Sequence, residues 1–114
     1  MKLKLALIAA VCGMVYPGPA LAGAGSFAVV NGTGADMSAL AIRRVGSSQW
    51  QPLGVTAPAG KSAPVAFSDP DCAFDLRANL AGGATVTWNG VNLCDVKLLT
   101  LRRDAAGRAW VDYD

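Results

Sequence analysis

Histidine and glutamate are both missing from this 114-residue sequence. Without histidine, a Ser-His-Asp triad, a Cys-His nucleophile pair and a His-ligated zinc cannot be assembled. Without glutamate, every side-chain carboxylate is an aspartate, and the closing ligand of an EF-hand loop is unavailable. Charge of one sign is also scarce. The formal balance is +2, but two of the ten basic residues, Lys2 and Lys4, sit in the N-terminal stretch read below as a leader. Eight basic residues then face eight aspartates, and a neutral chain carries no broad field for DNA, RNA or anionic lipid. The doublets Arg43-Arg44 and Arg102-Arg103 read as solvated strand ends rather than a phosphate site. Internal repeats and long linkers are absent as well.

What is present begins with "MKLKLALIAAVCGMVYPGPALAGAGSF". Lys2 and Lys4 form a positive start, Leu5 to Val15 an apolar stretch, and Ala20-Leu21-Ala22 the small-x-small pattern that a signal peptidase accepts. The apolar stretch is shorter than the ~20 residues a membrane span needs. Residues 1–22 are therefore expected to be a cleaved signal peptide and residues 23–114 a single β-rich domain, exported to the periplasm or beyond the cell. No later segment is long and apolar enough to span a bilayer.

Of three cysteines, Cys12 leaves with the leader, so Cys72 and Cys94 remain as an even pair in an oxidising compartment. A metal site commonly wants four Cys or His ligands, and a redox site wants C-x-x-C; neither pattern is available. A structural bridge needs only a fold that brings the sulfurs together, and the residues between them supply one. Cys72, Phe74, Leu76, Ala78 and Leu80 alternate with Ala73, Asp75, Arg77 and Asn79, as on a half-buried strand. Alternation resumes at Ala84, Val86 and Trp88 after Ala81-Gly82-Gly83. A three-residue loop pairs Leu80 with Ala84, Ala78 with Val86 and Leu76 with Trp88, apolar against apolar. A two-residue loop would turn every side chain to the wrong face. The first register carries Cys72 opposite about Asn92, close to Cys94, with Asn89-Gly90 free to bulge. A disulfide closing a loop of this length stabilises by about 3 kcal/mol through chain entropy. Typical domains total roughly 5–15 kcal/mol, so this share is large.

Further short strands are expected at Ser26 to Val30, Met37 to Val45, around Trp50 to Leu53, and at Lys61 to Phe67, where Pro64 marks an edge. Val96 to Arg103 and Arg108 to Tyr113 read as a hairpin around Asp104-Ala105-Ala106-Gly107. The fold class is all-β: a small antiparallel β-sandwich, or a partly open barrel, of about 6–8 short strands with one disulfide. Only "ADMSALAIRR" has a composition suited to a helix, which leaves an α+β arrangement as the alternative.

Two stretches, "VVNGTGADMSALAIRRVGSSQWQPLG" and "CAFDLRANLAGGATVTWNGVNLCDVKLLTL", resemble a group of small exported bacterial β-domains. The shared pattern is an Asn-x-Thr-Gly opening, a Trp before Leu-Gly, a Cys-x-x-Asp-Leu-Arg strand and an Asn-Leu-Cys-Asp-Val close. The likeness spans Phe27 to Leu101 and implies an exported bacterial β-protein without implying an activity.

Candidate chemistry is sparse. Asp69, Asp71, Asp75 and Asp95 are the carboxylates available to an Asp-dependent hydrolase, though a solvated surface accounts for them more simply. Asp69, Asp71 and Asp95 flank the bridged cysteines and form a candidate Ca²⁺ corner. Trp88 is assigned to the core; for Trp50 and Trp110 core or rim packing is the favoured reading, and an exposed stacking platform for a sugar or peptide is the alternative. Asn31-Gly32-Thr33 matches a glycosylation acceptor and, more strongly, a turn. No catalytic residue and no cofactor site is assigned. The expected function is a non-catalytic binding or structural module of the cell envelope, acting on a protein or envelope component through loops or an edge strand. One alternative is a small inhibitor of an extracellular hydrolase, with Gly46 to Pro52 or Ala57 to Lys61 as its loop. The other is the Asp-dependent hydrolase.

Overall fold

The structure, a computed structural model, describes residues 23–114; the expected leader lies outside the described residues. Eight strands make up the described chain: β1 (Phe27–Gly32), β2 (Met37–Arg44), β3 (Gln51–Pro52), β4 (Ser62–Val65), β5 (Ala73–Leu80), β6 (Thr85–Asn92), β7 (Leu98–Arg103) and β8 (Ala109–Tyr113). They form two four-stranded sheets, ordered β4-β1-β7-β8 and β3-β2-β5-β6. No helix occurs among the described residues.

The β5–β6 hairpin adopts the register expected from apolar matching. Leu76 lies opposite Trp88 and Ala78 opposite Val86, and the Leu80 N–H donates to the Ala84 carbonyl at 2.7 Å. Beyond Leu76 the pairing slips by one residue, so that Phe74 faces Val91 and Ala73 faces Asn92. This bulge absorbs Asn89-Gly90, with Gly90 at a left-handed φ of 66°. Cys72 then lies beside Leu93, whose N–H donates to its carbonyl at 2.9 Å.

β2 is a strand despite its helix-suited composition. Leu40 and Ile42 are buried in the core, and the backbone is bonded by β5 on one side and β3 on the other. A second bulge between Ser38 and Ala41 places Ala39 at φ 54°. Weak local propensity yields here to two ladders and a buried face.

In one respect the architecture differs from a purely antiparallel sandwich: β1 and β7 pair in parallel. Strands remote in sequence need no hairpin between them, so direction is set by where the chain re-enters the first sheet. β4 occupies an edge with Pro64 in it, as expected, since proline cannot donate to a second neighbour.

The two inner faces meet in one apolar cluster that includes Phe27, Val29, Met37, Phe74, Trp88 and Leu101. Trp88 is 2% exposed, and its indole N–H donates to the Arg102 carbonyl at 2.9 Å, tying β6 to the opposite sheet. Phe67 and Phe74 pack edge to face with centroids 5.2 Å apart.

Candidate functional site

Cys72 and Cys94 are joined in a disulfide, with Cα atoms 5.1 Å apart. It closes the open end of the β5–β6 hairpin. A third segment packs against the same corner. Ala24 N–H donates to the carbonyls of Asp69 (2.7 Å) and Asp71 (3.1 Å), and Ala24 also bridges to Cys94. Gly23 is required there: a Cβ would lie 2.3 Å from the Asp69 carbonyl oxygen.

The three carboxylates proposed for Ca²⁺ are divided between two environments. Asp69 accepts from Arg44 Nη2 at 2.9 Å and Nε at 3.2 Å, and from the Asp71 N–H at 2.8 Å. The hydrogen bond from Arg44 holds its pKa below the usual 3.8. Asp71 lies 3.7 Å from the same guanidinium. Asp95 sits in the turn after the bridge at φ 62°, beside Val96 and Tyr113 in a separate shallow cleft. Among the described residues no group of three or more His, Cys, Asp or Glu side chains is placed to hold a metal ion. The corner is an arginine-neutralised structural joint rather than a three-carboxylate cluster.

Asp75 is the aspartate that sequence reasoning misplaced. It was expected on a solvated face and is only 5% exposed. One oxygen accepts from Arg43 Nε at 2.9 Å and the other from the Gly90 N–H at 3.0 Å, inside the bulge. A buried carboxylate is tolerable only with such partners. The register makes the contact, since Arg43 lies directly opposite Asp75. A sequence signal existed, because Asn89-Gly90 already read as a bulge and a bulge leaves an N–H needing an acceptor.

Arg43 in turn stacks on Trp50, its guanidinium carbon 4.4 Å from the ring centroid, and Arg77 stacks on the same indole at 4.1 Å. Trp50 has folded back from the β2–β3 loop onto the outer face of the β3-β2-β5-β6 sheet. Thr87 lies opposite Arg77 on that face, with the Thr85–Asn79 side-chain bond (3.1 Å) next along it. Asp75 thus fixes Arg43, Arg43 and Arg77 immobilise Trp50, and Arg77 makes no ion pair with any described carboxylate. Trp50 and Trp110 do not come together as a shared stacking platform. Trp110 projects from β8 on the outer face of the other sheet, opposite Arg102.

Asn31 has a structural role. It is fully buried, its amide donates to the carbonyls of Ala35 (2.7 Å) and Ala57 (2.8 Å), and its Oδ1 accepts from the Thr33 N–H and hydroxyl. The two candidate inhibitory loops are mostly exposed, Pro58 to Lys61 throughout, and each is anchored to the fold at particular residues. Ala57 is buried against Met37, Gly60 N–H donates to Asn31, and the residues after Gly46 return Trp50 to the sheet.

The geometry defines a small, disulfide-linked β-sandwich. No family model and no curated protein sequence matches this chain. It is similar in fold to a protein from Eubacterium rectale solved by NMR, at 15% identity and a TM-score of 0.58. That likeness covers 78% of this chain and 86% of the other.

Proposed function

We propose that this protein is a non-catalytic, exported β-domain, periplasmic or secreted, that binds a protein or other component of the cell envelope. The observation that carries the reading is the Asp75–Arg43–Trp50–Arg77 array. Tryptophan and arginine dominate binding energy where they are held rigid, because little side-chain entropy is left to lose on association. Here the two arginines are held on strands β2 and β5 and the loop residue Trp50 is held by the arginines, with Arg77 in no ion pair with a described carboxylate. Three of the four carboxylates a hydrolase would use favour the same reading: Asp69, Asp71 and Asp75 face arginines at 4 Å or less. The leader-like N-terminus, the disulfide and the resemblance to exported bacterial β-domains support the location.

The test is affinity capture from the cell-envelope fraction of the source cell. Wild-type protein should retain a defined component, and the Trp50→Ala/Arg77→Ala double variant should lose at least ~10-fold of it, as for removal of a hot spot. Equal retention by both would refute the platform as the binding surface. Native protein of a mass that begins at Gly23, with both thiols blocked until reduced, is the accompanying expectation for export.

A further inference from the structure

The edges of the two sheets are not equally protected. β4 carries Pro64, and β3 is only two residues long. The bulge at Asn89-Gly90 breaks β6, and the Asn92 N–H on its outer side donates to the Tyr113 hydroxyl at 3.0 Å. These are devices that prevent edge-to-edge pairing. β8 has none of them over its five residues.

The hydrogen-bond phase of β8 shows which of its backbone groups are free. Asp114 N–H donates to Leu98, and Asp104 N–H to Arg108, at the two ends of the β7–β8 ladder. Bonded pairs in an antiparallel ladder recur at every second residue, so Trp110 and Asp112 also bond to β7. The N–H and C=O groups of Ala109, Val111 and Tyr113 therefore point away from the sheet along its open edge. Trp110 and Tyr113 on this strand are 43% and 50% exposed, two of the three large apolar side chains so exposed among the described residues.

We infer that β8 is a self-association edge, pairing antiparallel with β8 of a second copy about a two-fold axis at Val111. That register brings the free groups of Val111 onto those of its symmetry mate and those of Ala109 onto Tyr113, using the whole strand. It also places Arg108, whose Nε already donates to Asp104 at 2.9 Å within the chain, opposite a second carboxylate, Asp114, at both ends, and sets the two Trp110 rings diagonally across the axis, within aromatic reach. Shifting the axis to Asp112 opposes like charges, and shifting it to Trp110 leaves only three strand residues paired with strand residues. A two-fold axis closes the pair, so a discrete dimer forms rather than a fibre. The contact is a single short strand, below the roughly 1,000 Å² of a stable interface, so the dimer is concentration-dependent.

Analytical ultracentrifugation of the protein purified from an exporting host, from about 1 µM to about 1 mM, tests this. Reversible dimerisation is expected. Arg108→Asp, at an 84%-exposed side chain, and Asp114→Arg should each weaken it about 10-fold, and the combined reversal should restore it. Val111→Pro, which removes a free-edge donor together with part of a half-buried side chain packed on the core, should abolish it, with an unchanged far-ultraviolet spectrum showing that the fold survives. A protein that stays monomeric across the range overturns the inference. So does a dimer indifferent to the charge reversals. Neither result bears on the Trp50–Arg77 surface, which lies on the other sheet.

Discussion

At the scale of single residues, two buried polar side chains organise the molecule, and both act by satisfying backbone groups. Asn31 ties three segments, its own strand, the Thr33–Ala35 turn and Ala57, through one carboxamide with no unused capacity. Asn31→Ala removes all four of these hydrogen bonds at a fully buried position, leaving the Ala57 carbonyl only the Met37 N–H, and should cost about 2–3 kcal/mol, read as a lower urea midpoint at unchanged slope. Asp75 works in the same manner for the bulge and for Arg43. The sequence pattern Asn-Gly-Thr-Gly revealed a turn but not the burial of its asparagine. Asp75 looked solvent-facing because strict alternation assigns faces, not depth. Depth depends on what lies over a face, and here Trp50 and the two arginines lie over it.

At the scale of elements, the β5–β6 hairpin was readable almost completely. Apolar matching selects the three-residue Ala81-Gly82-Gly83 loop over a two-residue one, and the bulge at Asn89-Gly90 is compatible with that register. The disulfide follows from that register. Replacing both Cys72 and Cys94 with Ser should lower unfolding free energy by about 2–4 kcal/mol, measured by urea titration, with the β-sheet spectrum retained at low denaturant. β2 was less legible. Its alanines, methionine and leucine suit a helix, and only the two neighbouring ladders decide otherwise. The Trp50 return was not legible at all, since a cation stacked on an indole requires residues from β2, β5 and a loop to converge.

At the scale of the whole molecule, acid sensitivity follows from its charge pairs. Asp69 is held low in pKa by Arg44, and Asp104 by the Arg108 N–H and guanidinium. A carboxylate with a depressed folded-state pKa binds fewer protons folded than unfolded, so stability rises with pH across that interval. The contribution is complete above the ordinary 3.8 and disappears as pH falls through the lower folded value. The melting temperature should therefore be nearly level from pH 7 to about 5 and then fall in acid. Asp69→Asn should lower the neutral plateau and flatten the acid limb; an acid limb identical to wild type would count against Asp69 as a contributor. What the linear chain determined by itself was local: alternation sets strand faces, glycine and proline set turns, and matching apolar residues set a hairpin with its bridge. The parallel β1–β7 pairing, the burial of Asp75 and Asn31, and the separation of Trp50 from Trp110 onto opposite faces were decided only in three dimensions. Each depends on contacts between segments whose meeting no periodicity encodes.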